Sequence, residues 1–313
     1  MPQDGSNPVT RIALAGIGKI ARDQHVPTIA ASPSFELVAA VTGHEPPAGV
    51  PGFRTLTEMT ASVEVDAVSI CTPPRGRLAL IEEALGLGLD VMIEKPPAAT
   101  LSEAEAFAAL ARDAGKVLYA TWHSREAAGV EPARQWIAGR AIRQVTCTWK
   151  EDVRVWHPGQ EWIWEPGIGV FDPGINALSV LTRILPAPLL LQSAELGFPA
   201  NKDAPIAANL AFDHAGAPVS VAFDFDQRGP QTWDIEIEAE NGHLKLSMGA
   251  SQLAIDGVPV DLGNDPEYAR LYRRFAGLLA RRESDVDLAP FRHVADAFLL
   301  GRRTQLQPFD WNG

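Results

Sequence analysis

The sequence predicts an α/β fold, in which an N-terminal domain with a wound parallel sheet is followed by a C-terminal α+β domain built on an open antiparallel sheet. Two observations predict it. Up to about residue 122, short apolar runs alternate five times with helical segments, which is typical of a parallel sheet covered on both faces. Further along, apolar and polar residues alternate with a period of two, which is typical of an antiparallel sheet with one solvated face.

A glycine motif joins the first strand to the first helix. Directly after an apolar strand, the chain shows Gly-x-Gly-x-x-Ala at residues 16–21 and then a helical segment. In such a turn Gly16 permits the tight bend, and Gly18 lets the backbone approach a pyrophosphate at the helix N-terminus. The motif predicts a Rossmann-type dinucleotide site that also includes Lys19 and Ile20. The alternative is a tight strand–helix turn without a ligand.

The second strand, Glu36–Val41, ends where a dinucleotide places its adenosine ribose. No carboxylate stands at the strand end itself, so the usual repulsion of a 2′-phosphate is missing. Thr42 and His44 are able to donate hydrogen bonds to such a phosphate, whereas Glu45 follows closely and argues for NAD. We therefore predict NADP as the preferred cofactor, with NAD also used.

The third and fourth strands both end in prolines. The third leads into Thr72 and Pro73, which we assign to a loop over the cofactor. The fourth, Asp90–Ile93, ends in Glu94 and Lys95, and the two prolines straight after the lysine prevent the strand from continuing. Because ligands bind at the carboxyl ends of parallel strands, we expect both side chains at the cofactor. An exposed lysine at a strand end is the alternative reading.

The second half of the chain predicts a different architecture. Alternating apolar residues mark strands around residues 219–225 and 233–238, and Asn241-Gly242 predicts a hairpin turn. Two amphipathic helices follow, with apolar stripes in residues 268–279 and 291–299. We place the dinucleotide domain at residues 1–122 and the substrate domain at residues 123–313. A further expectation is that the last helix packs back on the first domain.

Residues 149–176 carry the densest set of polar and aromatic side chains. Four of the eight tryptophans fall there, in a stretch whose prolines and glycines predict loop. Aromatic faces beside Glu, His, Asp and Asn are typical of sugar-binding surfaces, and the alternative is a small aromatic core beneath a long loop. The residues that we predict to contact the substrate, counting one that precedes this stretch, are His123, Glu151, Trp156, His157, Trp164, Asp172 and Asn176.

Two of these residues, Asp172 and His157, also have purely structural explanations. Asp172, directly before Pro173, has the pattern of an N-cap for a helix over residues 175–185, although a carboxylate with two oxygens can cap and bind a ligand together. Asn176 lies one turn further along the same helix face, so it should follow Asp172 towards any ligand. His157 reads either as an ordinary loop histidine or as a functional one, and we favour the second.

Composition narrows the classes of partner. The formal net charge is −12, so the field around the molecule repels nucleic acid and anionic lipid. No apolar run approaches the ~20 residues that a membrane span requires, and Met1–Pro8 lacks the basic start of a signal peptide. We expect a cytoplasmic protein. Cys71 and Cys147 stand far apart in apolar surroundings, and the seven histidines show no ligand spacing, so we expect no metal.

Together these motifs resemble the glucose–fructose oxidoreductase and inositol dehydrogenase family. Its marks are the N-terminal glycine motif, Glu-Lys-Pro at the end of a fourth strand, and a C-terminal open sheet. Within the family, the sequence is most similar to the bacterial dehydrogenases that oxidise L-arabinose or D-galactose at C1. The resemblance spans nearly the whole chain and is carried by residues 18–25, 94–97, 121–124, 149–154, 156–160, 169–178 and 296–298.

The resemblance implies oxidation of a pyranose at C1 to a lactone, with hydride passing to NAD or NADP. It places Lys95 at the reacting hydroxyl and assigns sugar binding to Glu151, His157, Asp172 and Asn176. Many family members carry histidine where this chain has Asn176, and an amide cannot take the proton. We therefore expect Lys95 to polarise the oxygen and relay the proton, with Asp172 as its partner and His157 as the third candidate.

Other readings of the resemblance remain open. L-Arabinose and D-galactose share their configuration at C2, C3 and C4, so a pocket without closure at C5 should take both. Thr42-Gly43 replaces the Ser-Arg pair that NADP-preferring arabinose enzymes can show, which counts against NADP. The alternatives are a dehydrogenase of another cyclic polyol such as inositol and a non-catalytic nucleotide-binding regulator. Both a monomer and a sheet-mediated homo-oligomer are compatible with the sequence.

Overall fold

The structure is a computed structural model that describes residues 8–312. Its first unit is organised around a six-stranded parallel sheet. Its strands are β1 (Thr10–Ala15), β2 (Phe35–Val41), β3 (Gly52–Phe53), β4 (Ala67–Ile70), β5 (Asp90–Ile93) and β6 (Leu118–Ala120). Their order, β3-β2-β1-β4-β5-β6, places the topological switch between β1 and β4, so the carboxyl ends of these strands form the predicted ligand edge. The sequence prediction about a signal peptide concerns residues 1–8, which lie outside the described residues except for Pro8.

The helices of this unit follow the predicted alternation, with two differences. Up to residue 123 they are α1 (Val26–Ala30), α2 (Leu56–Thr60), α3 (Arg77–Gly86) and α4 (Leu101–Asp113). A π-helical turn, Ala21–His25, precedes α1, because Pro27 has no N–H for a regular helical ladder at this point. The short β3 and α2 were not predicted. Thr100 caps α4 in a reciprocal capping box with Glu103.

The second unit contains a long sheet and three helices before residue 265. Its strands are β7 (Ile142–Lys150), β8 (Leu190–Pro199), β9 (Ala207–His214), β10 (Ala217–Asp224), β11 (Thr232–Ala239), β12 (Gly242–Ser247), β13 (Gln252–Ile255) and β14 (Val258–Pro259). Its helices are α5 (Val130–Ile137), α6 (Val153–Trp156) and α7 (Phe171–Ile184). The predicted turn at Asn241-Gly242 joins β11 to β12 as an antiparallel hairpin.

The two C-terminal helices belong to different units. Helix α8 (Glu267–Arg281) buries Tyr272 and Phe275 in the core of the first unit, which comprises the described residues up to His123 together with Pro266–Leu288. Helix α9 (Ala289–Leu300) and strand β15 (Arg302–Leu306) belong to the second unit. The helix that belongs to the first unit is thus α8, and the expectation that the last helix packs back on the first domain stays a prediction. Both helices are amphipathic, and the apolar face of such a helix does not specify which core it packs against.

The second sheet is mixed, which corrects the prediction of an antiparallel sheet. Within the described residues it has nine strands in the order β14-β13-β12-β11-β7-β10-β9-β8-β15. Strand β7 runs parallel to β10, and β8 runs parallel to β15. The period-two pattern reports which face of a strand is buried, but it says nothing about the direction of the neighbouring strand. In residues 8–312, no helix has the length and apolar character to cross a membrane.

Candidate active site

The glycine turn after β1 has the geometry of a dinucleotide site. Gly16 has a φ of +91°, and its N–H donates to the carbonyl of Val41 at 2.9 Å. A Cβ added to Gly16 would lie 2.8 Å from Cγ2 of Thr72, so only glycine fits there. A Cβ on Gly18 would meet no atom within 4 Å, so this backbone faces open space. The turn therefore offers the close backbone approach that a pyrophosphate needs.

The other residues predicted to bind the cofactor lie at the ends of β1, β2 and β4. Lys19 and Ile20 belong to the glycine turn, where Lys19 forms an ion pair with Asp23. Thr42 is half-buried, and its hydroxyl accepts a hydrogen bond from the N–H of the exposed His44 at 2.9 Å. Thr72 and Pro73 follow β4. Because β1 lies between β2 and β4 and all three strands are parallel, these residues all lie at the carboxyl end of the sheet.

Arg77, a residue that the sequence analysis missed, ties two loops of this edge together. Its buried guanidinium donates to the carbonyl oxygen of Thr72 through Nε at 3.0 Å. It also donates to the carbonyls of Glu94, Pro96 and Pro97 in the turn that carries Lys95. Burial lowers the pKa of Arg77 to about 10, while the charge of Glu94 opposes this shift. A single arginine at the start of a helix carries no signal of such a role.

Replacing Arg77 by methionine is expected to lower the free energy of unfolding of the first unit by about 2 kcal/mol, because buried carbonyls lose a charged donor. Urea unfolding followed by circular dichroism measures the change. The exposed Arg75 serves as the matched control, and Arg75→Met should stay within about 0.5 kcal/mol of wild type. Equal stability of the two variants would show that the carbonyls do not depend on the guanidinium.

Glu94 is turned into the protein. Its carboxylate is buried, and Oε2 accepts a hydrogen bond from the backbone N–H of Lys95 at 2.9 Å. Oε1 lies 3.0 Å from Nε2 of His25 and accepts a hydrogen bond from the Tyr268 hydroxyl at 2.8 Å. Both carboxylate oxygens of Glu94 thus have hydrogen-bond partners within the first unit, and direct binding of the cofactor by Glu94 stays a prediction. Its position supports Lys95 through the backbone.

His25 completes this buried network and was also missed. Its Nδ1 lies 2.7 Å from the Tyr272 hydroxyl on α8. Burial by itself would lower the pKa of His25, but its polar neighbours, Glu94 among them, raise it well above its usual value. Burial would raise the pKa of Glu94, but the hydrogen bond and charge of His25 lower it to about 2. His25 follows Ala21 of the glycine motif by four residues, and this helical spacing is the signal that could have revealed it.

His123, predicted to bind substrate, is engaged within the first unit. Its Nδ1 lies 2.9 Å from Oε1 of Glu267, and its ring stacks on Tyr268 with centroids 5.6 Å apart. Burial by itself would lower the pKa of His123, but the Glu267 carboxylate raises it. The ring thus belongs to the polar network that surrounds Glu94.

In the second unit, the structure brings His157 and Asp172 together. Nε2 of His157 lies 3.2 Å from Oδ2 of Asp172, and both side chains are largely shielded from solvent. The His157 ring also packs edge-on against Phe225 and Trp162. An ionised carboxylate can only accept, so any hydrogen bond between these two atoms is donated by Nε2. The sequence analysis named both residues, but it did not pair them, since one follows α6 and the other lies in α7.

Asp172 lies in the first turn of α7, so the prediction that it is the N-cap is wrong. The N-cap is Val170, and α7 begins four residues earlier than predicted. A Cβ on Gly174 would lie 2.7 Å from the ring of Phe223 on β10, so α7 packs closely on the sheet. This packing sets the position of the first turn. Asn176 is half-buried one turn after Asp172, as expected for the same helix face.

The remaining predicted substrate residues lie in aromatic surroundings. Glu151 is buried, and its Oε2 accepts a hydrogen bond from the indole N–H of Trp233 at 2.9 Å. Trp156 is 37% exposed and packs against Trp233 at 5.2 Å. Its exposed face is open to a ligand.

Trp164 differs from these residues because it lies in an aromatic core. It is buried, and its ring packs on Phe309 at 4.7 Å and on Trp311 at 6.3 Å. The amino group of Lys202 lies over the Trp164 ring at 5.4 Å. These contacts match the alternative that the tryptophan-rich stretch forms a small aromatic core.

Comparison with known proteins identifies relatives along the whole chain. A family model described as "Oxidoreductase family, NAD-binding Rossmann fold" matches residues 10–121. A galactose 1-dehydrogenase from Pseudomonas fluorescens is 44% identical over 96% of this chain and 98% of that protein. The crystal structure of a D-galactose 1-dehydrogenase from Rhizobium etli superposes with a TM-score of 0.93 at 48% identity, covering 97% of this chain and 99% of that one.

More distant relatives share the fold. A 3-ketoreductase from Actinomadura kijaniata, solved with NADP, superposes with a TM-score of 0.84 at 18% identity over 95% of this chain and 99% of that one. The family model and the two galactose 1-dehydrogenases confirm the predicted Rossmann-type domain and the predicted oxidoreductase class. The chain belongs to the glucose–fructose oxidoreductase and inositol dehydrogenase family of oxidoreductases.

Proposed function

We propose that this protein is an aldose 1-dehydrogenase that oxidises D-galactose, L-arabinose or both at pyranose C1 to the aldonolactone. The observation that carries the proposal is the similarity to two galactose 1-dehydrogenases over nearly the full chain. The His157–Asp172 pair supports it, because a shielded carboxylate beside an imidazole suits the binding and deprotonation of a sugar hydroxyl.

The reaction requires two separate transfers, a hydride from C1 and a proton from the hydroxyl oxygen on C1. When bound, the nicotinamide cofactor accepts the hydride from C1. The hydroxyl proton must leave at the same centre, so that C1 becomes the carbonyl carbon of the lactone. We assign polarisation of the C1 oxygen and relay of its proton to Lys95, acceptance of the proton to Asp172, and orientation of that carboxylate to His157. Glu151, Trp156 and Asn176 are assigned to the sugar hydroxyls and ring.

The glycine turn would hold the pyrophosphate of the cofactor, and we propose NADP as the preferred form with NAD also used. The end of β2 supports this choice, since Thr42 stands where an NAD-specific site would carry a carboxylate. The Thr42 hydroxyl also offers a hydrogen bond to a phosphate oxygen.

Initial rates with four substrates test the proposed function. D-Galactose, L-arabinose, D-glucose and myo-inositol are each supplied with NAD and with NADP, and the absorbance of the reduced nicotinamide is followed. We expect fast turnover of D-galactose and L-arabinose and slow turnover of D-glucose, which has the opposite configuration at C4. NMR of the product distinguishes a lactone from a ring ketone.

Two outcomes would contradict the proposal. Preferred turnover of myo-inositol, or formation of a ring ketone, would favour a cyclic polyol or C3 dehydrogenase. Absence of turnover with all four substrates, despite cofactor binding, would favour the nucleotide-binding regulator.

A further inference from the structure

A cavity of about 310 Å³ lies beyond the glycine turn, on the β2–β3 side of the first sheet. Its lining includes Thr42, His44, Phe53, Arg54 and Glu58. The N–H of Thr42 donates to the carbonyl of Phe53 at 2.9 Å, which holds the ends of β2 and β3 side by side. Three neighbouring strands therefore end in a row, with Gly16 after β1, Thr42 after β2 and Arg54 after β3.

The Arg54 guanidinium reaches back across this row towards β2. Its Nη1 lies 3.6 Å from the point that a Cβ on Gly43 would occupy, which is van der Waals distance, so the guanidinium lies beside the backbone at the end of β2. Arg54 is exposed, and within residues 8–312 no carboxylate lies within ion-pair distance of its guanidinium. The cavity therefore contains a guanidinium that forms no ion pair with the described residues.

Glu58, the carboxylate in the lining of the cavity, is already hydrogen-bonded to the backbone. Oε2 of Glu58 accepts a hydrogen bond from the backbone N–H of Arg54 at 3.0 Å, while the N–H of Glu58 donates to the Thr55 hydroxyl. This arrangement keeps the Glu58 carboxylate on the backbone of Arg54 rather than on its side chain. Glu58 still adds negative charge to the cavity, which weakens the attraction of any anion there.

We infer that Arg54 recognises the adenosine 2′-phosphate of NADP. The inference rests on the proposed dinucleotide function and names the residue that selects between the two cofactors. The ribose of a bound dinucleotide lies at the end of the second strand, and the cavity is next to that point on the side away from the pyrophosphate turn. A guanidinium presents paired donors that match phosphate oxygens, and the Thr42 hydroxyl supplies a further donor. Arg54 thereby supplies the positive charge that Thr42-Gly43 lacks and that the Ser-Arg pair provides in NADP-preferring arabinose enzymes.

Binding of two nucleotide fragments tests the inference without any sugar. Calorimetric titration of the full-length protein with 2′,5′-ADP and with 5′-AMP isolates the 2′-phosphate. Wild type should bind 2′,5′-ADP more tightly, and Arg54→Ala should lose roughly ten- to a hundredfold in that affinity. Glu58→Gln should strengthen 2′,5′-ADP binding. The ratio of kcat/KM for NADP to that for NAD should fall in Arg54→Ala in parallel.

Arg112→Ala is the matched control, because Arg112 is an exposed arginine on α4 and its removal makes the same change in charge. It should bind both fragments like wild type. Equal losses of 2′,5′-ADP and 5′-AMP in Arg54→Ala would show stacking on adenine and overturn the inference. So would unchanged binding of 2′,5′-ADP, or a wild type that does not prefer it. If Arg54→Ala oxidises the sugar with an unchanged NADP-to-NAD ratio of kcat/KM, the role of Arg54 is refuted and the proposed function stands. If 2′,5′-ADP binding depends on Arg54 but no sugar is oxidised, only the proposed substrate is refuted.

Discussion

Replacing Lys95 by alanine is expected to lower kcat for D-galactose by about three orders of magnitude, because a positioned group that assists proton transfer contributes roughly 10²–10⁴ to the rate. Lys95 follows β5 directly, and its backbone N–H is held by Glu94 at 2.9 Å. The side chain is therefore carried by a turn that the buried network and Arg77 both fix. Steady-state rates at saturating sugar and cofactor measure the loss.

The loss of kcat can be attributed to the chemical step only if the Lys95→Ala variant keeps its fold and its cofactor site. Circular dichroism and titration with 2′,5′-ADP check these two points. Lys116→Ala, a half-buried lysine before β6, is the control and should keep wild-type turnover. A Lys95→Ala variant that turns over D-galactose at the wild-type rate would rule out the role that we assign to this residue.

Replacing Glu94 by glutamine is expected to lower the free energy of unfolding of the first unit by about 3 kcal/mol, because removal of one partner leaves the other charge of a buried pair uncompensated. The loss should depend on pH. The pKa of Glu94 is lowered from 4.5 to about 2 in the folded state, so its contribution is present above pH 4.5 and disappears as the pH falls towards 2. The pKa of His25 is raised above 6.5, so its contribution is present below that pH and is lost as the pH rises through the folded value.

Hydrogen exchange of peptides from β5 and α8 reports the stability of this unit separately from the second one. The difference between wild type and Glu94→Gln should be largest between about pH 4.5 and 6.5 and should shrink towards pH 2. His25→Gln and the double variant complete a mutant cycle, in which a pair energy near zero would show that the two groups do not stabilise each other. A difference that is the same at every pH would exclude ionisation of Glu94 as its cause.

Local sequence patterns predicted the parts of the site whose chemistry is tied to a turn. Gly16 could be assigned because its positive φ and its approach to Thr72 exclude any side chain, and that restriction leaves a glycine in the sequence. Lys95 could be assigned because prolines end its strand.

Contacts between distant segments could not be predicted in this way. Arg77 holds carbonyls at positions 72 and 94–97, and a carbonyl is present in every residue, so no pattern marks its partners. His25 meets Tyr272 across 247 positions of the chain. Arg54 became a candidate only when the unpredicted β3 placed it beside the end of β2.

The sequence by itself determined the two kinds of sheet pattern, the dinucleotide turn, the lysine at the strand end and the family resemblance. All of these depend on residues close together in the chain, where backbone geometry restricts which side chains fit. The tertiary structure decided that the second sheet is mixed, that α8 completes the first unit, and that His157 meets Asp172. Strand direction, helix docking and side-chain pairing depend on packing between segments far apart in sequence, and a local pattern does not specify which distant segments meet.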